Sequence, residues 1–346
     1  MARPLRIVRP GCWYHITSRG NDRKTIYRSE RDRRHFLELL AGMVELFRVR
    51  LHAFVLMDNH YHLLIELSEA NLSRAVQWLN VSYSVWFNRK HRRAGHLFQG
   101  RFKSVLVNPE EWALNLSRYI HLNPVRTGKL GLAKADRQPM RVGAVGAPEP
   151  ELVRGRIALL REHRWSSYRA YIGLAAKPAW MECETILQFG GGKVAERHAN
   201  YRRYVEGAVR EGLEESPWEQ LREQVVLGGP EFLKRMREGK SPAREAKAVE
   251  SMAGKRPDFA AVIAAVEKVK GETWEDFRDC HGDIGRDLAL HLGRKYTGLK
   301  LEELGRATGV KSDASVAMCL KRYEKRLQSD VAEQQRCRQA TALLNC

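Results

Sequence analysis

The stretch Met57-Asp58-Asn59-His60-Tyr61-His62-Leu63-Leu64-Ile65-Glu66-Leu67 sets two imidazoles one residue apart at the head of an apolar run. Successive side chains of a strand point to opposite faces, so His60 and His62 share one face and Tyr61 takes the other. Neutral imidazole is the commonest protein ligand for a divalent metal, and two on one face supply half of a site. An isolated His-x-His is more often two half-buried polar residues at a strand start. The pair acquires a task only from a third ligand and a reacting group.

Both are found in Asn108-Pro109-Glu110-Glu111-Trp112-Ala113-Leu114-Asn115-Leu116-Ser117-Arg118-Tyr119-Ile120-His121-Leu122-Asn123-Pro124. Asn108 stands as N-cap, Pro109 takes the first helical position, and Glu110 and Glu111 fill the first turn. Pro124 stops the helix near Asn123. Tyr119 and Asn123, four apart, share one face of the last turn if the helix runs that far, so a phenolic and an amide oxygen approach one metal-bound phosphate. Taken alone, a helix-end tyrosine is usually a packing residue.

Together these residues resemble the HUH-class single-strand transposases with one catalytic tyrosine, the IS200-like family, and most closely their REP-associated branch. The resemblance rests on His60-Tyr61-His62, on Gly95-His96-Leu97-Phe98-Gln99-Gly100-Arg101-Phe102-Lys103-Ser104, on Tyr119-Ile120-His121-Leu122-Asn123-Pro124-Val125-Arg126, and on Trp165-Ser166-Ser167-Tyr168-Arg169-Ala170-Tyr171. It spans about residues 8 to 173, with Thr127 and Lys129 departing from the family pattern. It implies that His60, His62 and Asn123 hold Mg2+ or Mn2+ and that Tyr119 attacks the scissile phosphate, leaving a 5′-phosphotyrosine and a free 3′-hydroxyl. The implied substrate is single-stranded DNA carrying an imperfect palindromic hairpin. Arg19, Arg23, Lys24, Arg101, Lys103 and Arg126 are then the candidate backbone contacts, which position a strand without specifying it.

Two other readings compete. One keeps the chemistry but makes the chain a replication initiator or relaxase that nicks once. The other is a non-catalytic, sequence-specific DNA-binding regulator with an inert site. The single Tyr downstream of the His pair favours strand transfer over the first, and the intact His60, His62, Tyr119 and Asn123 argue against the second.

The chain has 346 residues, 43% of them hydrophobic, with 60 Lys and Arg against 41 Asp and Glu for a formal charge of +19. That length suggests two or three domains, and that balance fits a polyanionic partner. Cys12, Cys183, Cys280, Cys319, Cys337 and Cys346 are far apart and form no Cys-x-x-Cys pair, which argues against a zinc knuckle or a disulfide framework. No apolar run approaches a membrane span, and the expected location is cytoplasmic, at the bacterial nucleoid. A monomer is expected over a homodimer.

Periodicity predicts a strand over 13–18, a helix over 29–47, strands over 51–57 and 60–67, a helix over 72–89, a strand over 102–107, and then the Tyr119 helix. This order is a ferredoxin-like α+β layout with an antiparallel sheet, the layout of HUH nucleases. A loop-like insertion is expected at about 133–160, after which the Trp165 segment returns to a catalytic domain of 1–175. Residues 176–254 read as a helical connecting region. Residues 255–346 read as helical, with Val316, Cys319, Leu320, Tyr323 and Leu327 inward on a final helix capped by Ser312 and Lys321, Arg322, Lys325 and Arg326 mostly outward. Residues 284–330 resemble the DNA-binding domain of the replication initiator DnaA through Tyr296-Thr297-Gly298-Leu299 and Leu304-Gly305-Arg306-Ala307-Thr308-Gly309, but the family's His and Thr are lost at Ser312-Asp313-Ala314-Ser315-Val316. The resemblance implies a helix-turn-helix and duplex DNA as a second partner.

Overall fold

A two-residue turn at Asp58-Asn59 folds β2 (Val49–Met57) onto β3 (His60–Leu67), and the alternation in both strands decides which face each residue meets. β1 (Trp13–Arg19) pairs antiparallel with β3 on one side and with β4 (Lys103–Val107) on the other. The computed structural model describes residues 7–126, 130, 148–211, 217–221, 226–238, 257–310 and 312–344. Thr127, Lys129 and most of the stretch read as an insertion lie outside them. Between the strands run α1 (Glu30–Leu46) and α2 (Leu72–Lys90). Ser29 caps α1 by accepting from the Asp32 amide, while the Asp32 carboxylate reaches back to the Ser29 amide, a reciprocal capping box.

The four long strands lie in the order β2-β3-β1-β4, the ferredoxin-like arrangement. The sheet is not purely antiparallel as expected. A fifth strand, β5 (Val226–Leu227), adds parallel to β4, through Leu106 with Val226 and Val107 with Leu227. The apolar run Val225-Val226-Leu227, between Gln224 and Gly228, is too short for sequence periodicity to register.

One sheet face is closed by α1 and α2. Tyr61, fully buried, packs 5.0 Å from the Phe36 ring and donates its hydroxyl to Asn80, and Tyr83 donates to the Ile26 carbonyl. The opposite face carries the histidines and lies against α3 (Pro109–His121), whose Ala113, Leu116 and Ile120 form the buried stripe. Residues 165–168 run back along the free side of β2: Ser166 bridges Val55, the Leu56 amide donates to the Trp165 carbonyl, and the Ser167 amide donates to the Phe54 carbonyl. The Ser167 hydroxyl sits 2.7 Å from His121 Nε2, and the Tyr201 hydroxyl 2.7 Å from His121 Nδ1. The Trp-Ser-Ser-Tyr motif thus ties α3 to the sheet.

The insertion is not loop-like throughout. Residues 150–162 form α4 (Pro150–Glu162), because Val153, Arg156, Ile157 and Leu160 recur at helical spacing and are buried. Pro150 at the first helical position starts the helix rather than breaking it. Beyond α5 (Tyr168–Tyr171), α6 (Glu184–Phe189), α7 (Arg197–Glu211) and α8 (Pro230–Arg237), the chain divides into units Met1–Val249 and Glu250–Cys346. The described part of 176–249 belongs to the first unit's core through Ile186, Leu187, Tyr201, Val205 and Phe232.

The second unit holds α9 (Phe259–Lys270), α10 (Trp274–Phe277), α11 (Ile284–Leu292), α12 (Leu301–Thr308), α13 (Asp313–Ser329) and α14 (Val331–Leu344). Gly309 ends α12 at φ 71°, the left-handed conformation that glycine adopts without cost, and Ser312 caps α13 by accepting from the Ser315 amide. Val316, Cys319 and Tyr323 point inward as expected. Among the described residues, no disulfide joins Cys12, Cys183, Cys280, Cys319 and Cys337, and no helix is long and apolar enough to cross a membrane.

Burial lowers the His121 imidazole from its ordinary 6.5 to about 3. An unfolded histidine protonates near 6.5 while the folded one stays neutral, so between those values the unfolded state binds more protons and stability falls as pH drops. The loss is about 1 kcal/mol per pH unit for this residue. The urea midpoint of the full chain should be level from about pH 8 to about pH 7 and decline below about pH 6.5, less steeply in His121→Gln; identical slopes in both proteins would refute a neutral, buried His121.

Candidate active site

His60 and His62 lie on the α3 side of β3, their ring centroids 5.0 Å apart and nearly perpendicular. In the ladder Arg19 stands opposite His60, Thr17 opposite His62, and Lys103 opposite Thr17, so one face of three strands gathers two imidazoles, an arginine and a lysine. α3 brings Tyr119 over them, its ring edge-on to His62 at 5.9 Å. The Arg126 guanidinium covers the Tyr119 ring at 4.3 Å, close enough for a cation–π contact.

Burial, and then the Arg19 charge, lower His60 to about 4. Burial pushes His62 well below its ordinary range, reinforced by His15, His60, Arg19 and Arg126. Both imidazoles are therefore neutral near physiological pH, the form that can ligate a metal.

Each also has one nitrogen already engaged. His60 Nδ1 is 2.7 Å from Asn59 Oδ1, and since an amide oxygen only accepts, His60 donates there and keeps the Nε2 lone pair. His62 Nδ1 is 2.8 Å from Nε2 of His15, a buried residue of β1 that sequence reading missed. The signal was faint: His15 is a lone histidine, and its partner lies 47 positions away. Among the described residues no three His, Cys, Asp or Glu side chains are placed to hold a metal ion.

Asn123 differs from expectation. α3 ends at His121, and Asn123 opens a separate 3-10 turn, because the pyrrolidine of Pro124 disfavours helix in the residue before it. The Asn123 amide folds back to donate to the Tyr119 carbonyl at 2.8 Å, satisfying a last-turn acceptor. The residue is held one turn from the tyrosine with Nδ2 committed and Oδ1 as its possible ligand atom. At the other end Asn108 occupies the N-cap position but donates to Glu111 instead of accepting from the backbone.

Several basic candidates gather at the C-terminal end of β1, where Arg19 closes the strand, Arg23 and Lys24 follow in the turn and Lys103 pairs with Thr17. Arg19, Arg23, Lys24, Arg101 and Lys103 are exposed, and Arg126 is partly so. The turn after β1 is held by Gly20 donating to the Asn59 carbonyl, Asn21 donating to the Leu97 carbonyl, and Asn59 donating to the Arg23 carbonyl. Asp22 and Arg23 are both forced to positive φ, 54° and 57°, and a Cβ on Gly20 would lie 2.1 Å from the Lys24 carbonyl oxygen. Such backbone strain is kept where the surroundings over-determine it. The Gly95–Ser104 motif shares in this: Gly20 bridges Phe98, and Gln99 donates to the Arg19 carbonyl.

The segment 9–123 matches the family model described as "Transposase IS200 like". That segment, a third of the chain, is similar to the IS200-like transposases. It holds His60, His62, Tyr119 and Asn123 and leaves Arg126 and everything later unmatched. A solved structure described as "Structure of the REP associates tyrosine transposase bound to a REP hairpin" aligns with 51% of this chain and 89% of that one, at 15% identity and a TM-score of 0.33, too loose an overlap to transfer geometry. No curated protein matches the chain.

One element outside the transposase segment enters the site. The turn Pro217–Gln220 places the Trp218 ring 4.7 Å from His15 and 5.1 Å from Tyr119.

In the second unit Lys321 and Lys325 are exposed, and Arg326 is partly buried. Arg322 is corrected: its guanidinium grips the fully buried Asp287 carboxylate at 2.8 to 2.9 Å through Nε and Nη2. Removing that arginine would strand a buried charge, so it is a structural ion pair rather than an available phosphate contact. Nearly all of the basic excess lies in the first unit: residues 1–249 carry 43 Lys and Arg against 26 Asp and Glu, and residues 250–346 carry 17 against 15.

Proposed function

We propose that the first unit is a metal-dependent single-stranded DNA nuclease and strand transferase that acts at hairpin sequences with Tyr119 as nucleophile. The observation that carries this is the convergence of Tyr119, Arg126 and Arg19 on a neutral His60–His62 pair. Hairpin DNA as substrate rests on the motif resemblance to REP-associated transposases. The same convergence disfavours an inert regulator, which has no need of a tyrosine held beside two metal-competent imidazoles.

Two imidazole Nε2 atoms and an amide oxygen suit a borderline-hard divalent ion, so His60, His62 and Asn123 would hold Mg2+ or Mn2+. Bound there, the ion supplies Lewis acidity at a non-bridging phosphate oxygen. Arg19, Lys103 and Arg126 offer charge to the same phosphate and its neighbours. The Tyr119 oxygen forms a bond to phosphorus as the bond to the 3′-oxygen breaks, and the phenolic proton is accounted for on the released 3′-hydroxyl. One phosphodiester is exchanged for another, so a second 3′-end reverses the step without a nucleotide cofactor. The test is incubation of labelled single-stranded hairpin oligonucleotides with Mn2+. A protease-sensitive covalent adduct is expected, and its absence with every hairpin and single strand overturns the proposal.

His15 then has a definable part. If His62 donates its Nδ1 proton to His15 Nε2, its own Nε2 is left as ligand, the usual arrangement around a metal-bound histidine. His15→Ala should weaken Mn2+ binding about 10- to 100-fold, read by direct Mn2+ titration of the protein as well as by cleavage. Unchanged Mn2+ affinity would remove His15 from the site.

For the second unit we propose duplex DNA binding through α13, the second helix of α12–turn–α13, whose Met318, Lys321 and Lys325 are exposed. Replacing Lys321 and Lys325 by Ala should flatten the salt dependence of duplex binding by up to about two counterions. An identical slope would mean that α13 does not face the phosphates.

A further inference from the structure

We infer that Trp218 is the surface on which the nucleobase beside the reacting phosphate stacks; this rests on the reading of Tyr119 as nucleophile. The groups that line the site from the transposase segment are of one chemical kind. Arg19, Lys103, His60 and His62, with Arg126 just beyond it, suit a phosphate or a cation, and none of them offers a flat apolar face to a base. A strand threaded past Tyr119 nevertheless carries a base on the sugar next to the attacked phosphorus, and that base must leave water for a surface or remain in it.

Trp218 is the aromatic ring placed to receive it. It is partly exposed, it stands at 85° to the Tyr119 ring at 5.1 Å, and it contacts His15 at 4.7 Å, so it borders both the nucleophile and the imidazole pair. Its position is built. Pro217 is buried, Leu221 packs against the core, and shortly afterwards β5 joins β4 while the Asn108 amide donates to the Leu227 carbonyl at the start of α3. The strand β5, which follows the Trp218 turn in the chain, therefore also fixes the start of the helix that carries Tyr119. Indole gives the largest stacking area of any side chain, and every base has a π-face, so the contact tolerates sequence but favours purines over pyrimidines by area.

The test uses the full-length chain with a hairpin oligonucleotide whose cleavage position has been mapped, and with the same oligonucleotide made abasic on either side of the cut bond. Trp218→Ala should lower affinity and cleavage of the intact strand about 5- to 100-fold, while Trp218→Phe keeps most of both. One abasic position should cost the wild type a similar factor and cost Trp218→Ala almost nothing more, because the two changes remove the same contact. Losses that multiply would place the base elsewhere, an unchanged Trp218→Ala would make the ring a filler, and faster cleavage by that variant would make it a gate; each overturns the inference. Trp218→Phe failing together with Trp218→Ala on every substrate, abasic ones included, points to lost folding around the turn and also overturns it. If the wild type cleaves no strand, the reading of Tyr119 itself falls, an outcome distinguishable from all of these.

Discussion

Tyr119→Phe should abolish the covalent adduct and reduce strand cleavage by on the order of 10^4-fold or more, the size of loss seen when a nucleophile is removed. Affinity for the same DNA should change less than about two-fold, because the ring that meets His62, Arg126 and Trp218 is kept and only one oxygen goes. Denaturing gels of labelled hairpin DNA, with and without protease, measure the first quantity, and anisotropy of the same DNA measures the second. Equal cleavage by the variant would end the Tyr119 reading. Tyr61 of β3 and Tyr83 of α2 could not inherit the role, since both are buried on the α1 and α2 side with their hydroxyls given to Asn80 and the Ile26 carbonyl.

His60→Ala and His62→Ala should each lower cleavage at limiting Mn2+ by about 100-fold or more, within the several kcal/mol that a correctly held metal contributes. The two are expected to differ in stability. His62→Ala leaves the buried His15 Nε2 without its partner and should cost about 1 to 3 kcal/mol of folding free energy. His60 is partly exposed and its ring bonds to the neighbouring Asn59, so His60→Ala should unfold near the wild-type midpoint and recover part of its activity as Mn2+ is raised. Asn123→Ala should lose less, because water replaces a neutral ligand. Cleavage against Mn2+ concentration separates these cases. Curves for both histidine variants that overlay the wild type would dismiss the metal site on this face.

Much of this was legible in the sequence where the signal was local. β3 begins at His60 and α3 at Pro109 because apolar alternation, and an Asn-Pro-Glu-Glu start, leave little choice over a few residues. What sequence reading missed depends on partners far away along the chain. His15 becomes interpretable only beside His62, and Arg322 only beside Asp287, 35 positions earlier. Pro148 and Pro150 made the start of α4 read as loop, although one of them serves that helix as its first residue. Trp218 was one aromatic in a charged stretch, and no periodicity could say that the turn Pro217–Gln220 would set its ring beside His15 and Tyr119. The basic excess was read as one total for the chain, whereas it sits almost wholly in residues 1–249.

The sheet margins bear on how copies of this protein can meet. At one margin Ser166 and Met181 bridge β2, and at the other Val226–Leu227 takes the Leu106–Val107 end of β4 while the exposed Lys103 guards the remainder. An open strand edge is a template for invasion by another chain, and proteins blunt it by covering it or by placing lysine on it. Both devices are used here, and they blunt the described edges of β2 and β4 as templates for an incoming strand.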